Sequence, residues 1–250
     1  MKERFCSEFY IDYQGVDENL CTSFPRLMGY IQETSLLHTE NSGYSMSWFA
    51  ENEKAFILTN WEIECIKLPK WGDKIKIYTW PSFFKGILAT RSFIAFDEDE
   101  HVLLKADSQW IYTDLIKKKP LKIQEDMVKN YGAVYPGHFE KENFPDLEGY
   151  SLVNSSMEKV KRSDTDSNHH ANNVSYIRWI TDSIADEIYN SRSLNKISIK
   201  YKKECKLNDN IVIENYAKDD SFLDFVTIVR EPEDKDAVHC IARSLWNKIN

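Results

Sequence analysis

The 250 residues predict an α+β fold built twice in tandem, and three observations predict it. First, the chain repeats itself. VLLKADSQW from Val102 returns in outline as VHCIARSLW from Val238, and GDKIKI from Gly72 returns as NDNIVI from Asn208, both at a spacing of 136 (238 − 102). Two separate segments therefore keep one register. Second, SYIRWITDSIADEI carries Ile177, Ile180, Ile184 and Ile188 three and four residues apart, a stripe along one face of a helix. Third, DKIKIYTW alternates strictly, with Ile75, Ile77 and Thr79 on one side and Lys74, Lys76 and Tyr78 on the other, the period of a strand.

Within each half the expected order is a helix, two strands and a hairpin. In the first half GYIQETS from Gly29 marks the helix, IECIKL from Ile63 a strand and DKIKIYTW the next, with Trp71, Gly72 and Asp73 turning between them. SFIAF and VLLKADSQWIY then flank the acidic tip DEDEH as an antiparallel hairpin. The second half matches: SYIRWIT rhymes with GYIQETS, KECKL from Lys203 with IECIKL, and FVTIV and VHCIARSLW flank the polar turn REPEDKD. On this rhyme Glu64 and Cys65 pair with Glu204 and Cys205. Residues 131–150, with two prolines, three glycines and little periodicity, read as a linker between an N-terminal domain, 1–130, and a C-terminal domain, 151–250.

A chain that is 42% hydrophobic and 29% charged has ample material for a core. No run approaches the roughly 18 apolar residues of a membrane span, and MKERFCSEFYIDYQ lacks the apolar stretch of a signal peptide, so a cytoplasmic protein with no membrane span is expected. Five scattered cysteines without CxxC spacing suggest neither a disulfide framework nor a zinc cage. The net charge of -8 argues against nucleic acid as a partner. Basic clusters at Lys117–Lys122, Lys159–Arg162 and Lys200–Lys203 could nonetheless meet an acidic partner. The duplication makes an internal pseudo-dimer, compatible with a monomer or a homodimer.

The stretch DTDSNHHANNVSYIRW, residues 164–179, sets an acid, amides and two imidazoles at the mouth of the second helix. Asp and Asn before a helix are common N-caps and need no catalytic purpose. A metal site on Asp166, His169 and His170 is disfavoured, because adjacent histidines share one ion poorly and no further ligand pair stands out.

DSNHHANNVSYIRWI resembles the D-x-N-x-H-x-N-N-x-x-Y-I-x-W segment of the acyl-acyl carrier protein thioesterases of plants and bacteria. KYKKEC is similar to that family's Y-x-x-E-C segment, and LPKWGDKIKIYTW to its P-x-W-G-D-x-[IV]-x-[IV]-x-T-W segment. The three occur in the family's order across most of the chain. The resemblance implies a tandem double hot-dog fold, each half a long helix wrapped by an antiparallel sheet. It also implies hydrolysis of the thioester between a fatty acyl chain and acyl carrier protein, and an enzyme with no metal and no cofactor. Carried onto matching positions, the functional residues are Asp166, Asn168, His170 and Glu204, with Cys205 at the place of a cysteine once proposed as nucleophile.

Thioester hydrolysis needs a water, a base for its proton and donors where negative charge develops. Glu204 is expected to be the base, Asn168 and His170 to polarise the thioester or orient the base, and Asp166 to fix their geometry, a nucleophilic Asp166 working through an anhydride being the alternative. A nucleophilic Cys205 is disfavoured, because its neighbour Glu204 opposes the thiolate and strand alternation would send the two to opposite faces. Asn172, Asn173 and Tyr176 are expected to touch substrate. Nothing near Tyr30 is seen to match the Asp-x-Asn-x-His triplet, so the first half is expected to shape the acyl pocket, through residues such as Leu27, Met28, Ile31 and Trp48. Arg178 and the basic clusters are candidate docking groups for the carrier protein. Rival readings are the same chemistry on acyl-coenzyme A, a non-catalytic acyl-binding module, and a dehydratase, since fold alone does not fix function.

Overall fold

A computed structural model describes residues 4–140, 144, 146–219 and 221–248, in two compact units, 1–140 and 141–250. In the first, β1 (Phe5–Tyr10) precedes α1 (Phe24–Asn41), α2 (Met46–Glu51), β2 (Lys54–Cys65), β3 (Lys74–Lys85), β4 (Leu88–Phe96), β5 (Val102–Asp114), β6 (Lys119–Pro120) and α3 (Glu125–Asn130). Its strands lie in the order β1-β3-β4-β5-β2, every neighbouring pair antiparallel, with β6 added to β5. In the second unit β7 (Ser151–Lys159) precedes α4 (Asn173–Asp182), α5 (Asp186–Tyr189), β8 (Arg192–Tyr201), β9 (Asn210–Ala217), β10 (Asp224–Arg230) and β11 (Val238–Lys248). The order there is β7-β9-β10-β11-β8, again antiparallel, which is the first arrangement repeated.

The expected hairpins and the spacing of 136 hold. Cys65 faces Leu104 across β2 and β5, and Tyr201 faces Cys240 across β8 and β11, each pair displaced by that spacing. Ile75, Ile77 and Thr79 are buried, as alternation predicts. In α1 the buried positions Phe24, Leu27, Met28, Ile31, Ser35 and His38 form one stripe, and Ser23 caps its start by accepting from the Arg26 N–H. His38, in the last turn, accepts from the Arg91 guanidinium at 2.7 Å, and burial, with that cation, pulls its imidazole down to about 3.

Four features differ from the sequence reading. Each unit opens with an extra strand, β1 and β7, lying at the end of its unit's strand order. The second helix is not long: α4 ends at Asp182, and the periodic run continues only as the short α5. The reason is local. The Ser183 carbonyl accepts from Asn154 Nδ2 at 2.7 Å and Asn215 Nδ2 at 3.0 Å, so the helix terminus is captured by side chains from β7 and β9. The helix rhyme slips, too. The caps Ser23 and Asn172 are 149 apart, whereas GYIQETS and SYIRWIT pair at 146; a slip of three residues is nearly one turn and keeps the apolar stripe in phase. Finally, the start of the expected linker packs on the first unit. Tyr131 is buried in a cluster with Tyr44, Phe49 and Tyr112, and Asp107 Oδ2 accepts the N–H groups of His138 and Phe139 at 2.7 and 2.9 Å. A Cβ on Gly137 would stand 2.8 Å from that carboxylate oxygen. Residues 141–143 and 145 of the expected linker lie outside the described residues.

Asn215 is buried and fully bonded: its amide nitrogen also donates to Asn154 and Ser183 Oγ, and its oxygen accepts from Thr227 at 2.6 Å. Asn215→Leu strands these partners and is expected to lower the unfolding free energy by about 2–4 kcal/mol in urea titration; a change below about 1 kcal/mol would contradict this account of the helix end.

Candidate active site

The candidate site is assembled from two loops of the second unit. One runs from a single turn of 3-10 helix, Arg162–Asp164, to the cap of α4, Asn172. Asp164 anchors it: the carboxylate is buried and ion-paired with Arg178, and the carbonyl accepts from Asn172 N and Ser175 Oγ at 2.7 and 2.9 Å. Arg178, the expected docking group, pairs with Asp164 and keeps its side chain 39% exposed. Beyond Thr165 the chain reverses. Asp166 Oδ1 accepts the N–H of Asn168 at 2.8 Å and of His170 at 3.4 Å, and Asp166 N donates to His170 O at 2.8 Å. Asp166 therefore builds the turn that presents Asn168 and His170. His169, at the tip, has φ +64, the left-handed region that L residues seldom adopt.

The other loop follows β8, whose last residue is Tyr201. The expected strand alternation at Glu204 and Cys205 is corrected here, because both lie beyond the strand. They still face apart, for a different reason: Ala171 N donates to Cys205 O at 2.8 Å, and His170 and Lys206 form an antiparallel bridge, which turns Glu204 toward His170 and Cys205 into the core. Glu204 Oε2 stands 3.3 Å from His170 Nε2, while Lys206 Nζ is 3.8 Å from Oε1. The Glu204 side chain is 53% exposed and Asn168 is exposed, so both are open to a substrate. Among the described residues the Asn168 side-chain amide has no protein partner. Cys205 is fully buried, and burial pushes its thiol up to about 12. Among the described residues no three His, Cys, Asp or Glu side chains gather as metal ligands.

The expected substrate contacts are placed differently from one another. Asn172 Oδ1 accepts from Val174 N at 2.9 Å, so it is the cap of α4, and Asn173 is the first helical residue. Tyr176 is 2% exposed, and its hydroxyl is bonded to the Glu204 loop. Leu27, Met28 and Ile31 lie in the core of the first unit, and Trp48, half-buried, packs against Tyr44.

Two family models match the chain: the acyl-ACP thioesterase N-terminal domain over residues 2–131 and the C-terminal domain over 151–248. The chain belongs to the acyl-ACP thioesterase family. It is similar to the oleoyl-acyl carrier protein thioesterase 1 of Arabidopsis thaliana, 28% identical over 83% of this chain and 61% of that protein. It also resembles the palmitoyl-acyl carrier protein thioesterase of Gossypium hirsutum, 26% identical over 80% of this chain and 52% of the relative. The chain thus spans about three fifths or less of the length of these curated relatives. In fold it matches an acyl-ACP thioesterase from Bacteroides thetaiotaomicron, with a TM-score of 0.85 at 20% identity, covering 98% of both chains. The 12:0-ACP thioesterase from Umbellularia californica matches at 0.82 and 17%, again covering 98% of each. The double hot-dog fold is thereby shown.

One feature of this acyl-ACP thioesterase family member escaped the sequence reading. The first unit carries the same turn: Asp17 Oδ1 accepts the N–H of Asn19 and of Cys21 at 2.9 Å each, Cys21 bridges Lys70, and Thr22 N donates to Pro69 O at 2.8 Å. Asp17-x-Asn19-x-Cys21 is thus the counterpart of Asp166-x-Asn168-x-His170, contrary to the expectation that no such triplet exists in that half. Leu68 and Pro69, not Glu64 and Cys65, occupy the places of Glu204 and Cys205. Leu20 repeats the left-handed tip, at φ +59. The spacing of 149 between the two turns, against 136 between the strands, hid the match.

A left-handed tip predicts its own mutational signature. His169→Gly should leave stability within about 1 kcal/mol of wild type, whereas His169→Val should cost about 1–2 kcal/mol, both read by thermal unfolding; equal effects would contradict the turn geometry.

Proposed function

We propose that this chain hydrolyses the thioester of a fatty acyl group carried on acyl carrier protein, releasing free fatty acid and the carrier thiol, with Glu204 as general base. The observation that carries the proposal is the exposed Glu204 carboxylate 3.3 Å from His170 Nε2, on a turn that leaves Asn168 free. The family membership supplies the reaction class.

Each residue then has a task. His170, with Nε2 3.3 Å from Glu204 Oε2, is assigned the task of orienting the carboxylate, with the Nε2 tautomer assigned from that proximity. Glu204 accepts a proton from water, whose oxygen forms the new bond to the acyl carbon as the carbonyl electron pair moves onto oxygen. Asn168 donates through its free amide to that oxyanion, and the positive end of α4 adds to the potential there. Collapse breaks the carbon–sulfur bond, and the proton held by Glu204 returns to the departing thiolate. Asp166 acts by building the turn, since its Oδ1 is already occupied by two backbone donors. Asn172 and Asn173, at the cap and first residue of α4, are proposed to border the thioester.

Cys205 plays no covalent part in this scheme. A thiol pushed up to about 12 is protonated throughout the neutral range, and its thiolate fraction grows only as pH rises toward that value.

Thiol release from a panel of acyl-acyl carrier proteins and matched acyl-coenzyme A thioesters tests this directly. Wild type should cleave the carrier-protein panel, Glu204→Ala should lose at least about two orders of magnitude in kcat, and Cys205→Ala should stay within about threefold. Preference for coenzyme A would move the substrate to that carrier. A dead Cys205→Ala that remains folded would make the mechanism covalent. Absence of hydrolysis with saturable acyl binding would favour a binding module, and an enoyl product from a 3-hydroxyacyl substrate a dehydratase.

A further inference from the structure

Glu204 sits on a loop, and a general base on a loop needs something rigid to hold it. The backbone bonds that tie this loop to the sheet do not explain it, because both units make them. The His239 carbonyl accepts from Lys202 N and Lys203 N, as the Leu103 carbonyl accepts from Ile66 N and Lys67 N. Lys206 N donates to Asp209 Oδ2 at 2.7 Å, as Lys70 N donates to Asp73 Oδ2 at 2.8 Å. These bonds belong to the duplicated scaffold.

Among the described residues, a side-chain clasp on the backbone at both sides of Glu204 has no counterpart in the first unit. The Tyr176 hydroxyl donates to the Lys203 carbonyl at 3.3 Å and accepts from the Cys205 N–H at 3.0 Å, so a single oxygen closes on both residues flanking Glu204. We propose that Tyr176 is a positioning residue that holds the Glu204 carboxylate against His170. The proposal rests on the hydrolase reading of Glu204 and adds to it.

The first unit is an internal control. Counting from the caps Ser23 and Asn172, the counterpart of Tyr176 is Leu27, which has no hydroxyl. The counterpart of Cys205 is Pro69, which has no N–H to offer. The counterpart of Glu204 is Leu68. Base, clamp donor and clamp acceptor are present together in one unit and absent together from the other, although the loop scaffold is shared.

The ring of Tyr176 is anchored independently of its hydroxyl. It packs edge-on against Tyr201 at 5.4 Å and Trp179 at 5.0 Å and is buried. Burial also raises the phenol far above its ordinary value, so the hydroxyl keeps its proton and remains able to donate. Removing that oxygen alone therefore loosens the loop while the ring can stay in place.

The experiment is Tyr176→Phe, made in wild type and in Glu204→Gln, with steady-state kinetics on the acyl-acyl carrier protein panel. Backbone amide exchange of the 15N-labelled protein is followed by NMR beside the kinetics. In wild type the substitution should lower kcat by about 10- to 100-fold, the scale of a small misplacement of a catalytic group, with KM within about twofold. In Glu204→Gln it should change the residual kcat by less than about twofold, because a residue acting through Glu204 has nothing left to position. Exchange of the Cys205 amide should quicken at least about tenfold once its acceptor is gone.

An equal loss in both backgrounds, a loss confined to KM, or full activity of Tyr176→Phe would overturn the proposal. So would unchanged exchange at Cys205. If wild type hydrolyses no thioester, the hydrolase reading fails, and the Cys205 exchange still decides whether the clamp exists.

Discussion

The short antiparallel bridge between His170 and Lys206 is the constraint on which the candidate site depends. It ties a turn that precedes a helix to a loop that follows a strand, and so brings together two side chains that neither segment could pair alone. The bridge is main-chain chemistry and indifferent to side chains, as its copy shows: Cys21 and Lys70 make the same contact in the first unit with Leu68 where Glu204 would be. Scaffold and chemistry are therefore separable in this fold. The two units carry matching brackets, and Glu204, Tyr176 and Cys205 stand in one where Leu68, Leu27 and Pro69 stand in the other.

The Glu204 and His170 side chains are too exposed for their contact to matter to stability, since exposed ion pairs contribute about 0–1 kcal/mol. Their arrangement is sustained from beneath, by groups that are buried or strained. The Asp164 carboxylate under Arg178 fixes the loop entrance, Asp166 spends an oxygen on two N–H groups, and His169 accepts a left-handed backbone at the tip. Backbone strain of this kind persists only where surrounding bonds over-determine it. Leu20 carries the same strain in the first unit, so the conformation belongs to the turn itself.

Much of this was legible in the sequence. Strict alternation at Ile75, Ile77 and Thr79 and the spacing of 136 placed the central strands and the hairpins, because buried faces impose their period on the residues. The motif residues Asp166, Asn168, His170 and Glu204 were also legible, and the fold brings His170 to Glu204. What could not be read had weaker patterning. Neither β1 nor β7 figured in the expected order, and β7 buries no residue completely. The end of α4 is set by Asn154 and Asn215, which are distant in sequence and look like ordinary polar residues of strands. The twin turn at Asp17 was hidden because the segment between turn and strand differs in length between the halves, and because Cys21 does not resemble histidine on paper. The bonds of the Tyr176 hydroxyl to Lys203 and Cys205 depend on a loop conformation that a motif cannot express.

The central claim is that Glu204 activates water and that no protein atom bonds to the acyl carbon. Single-turnover cleavage of an acyl-acyl carrier protein by excess enzyme in 18O-labelled water, with the fatty acid examined by mass spectrometry, addresses it most directly. Direct attack by water predicts one heavy oxygen in the fatty acid of the first turnover, with no acyl group trapped on the enzyme on rapid quenching. Unlabelled fatty acid in that turnover, or a trapped acyl group on Asp166, Glu204 or Cys205, would contradict it and make the first step covalent.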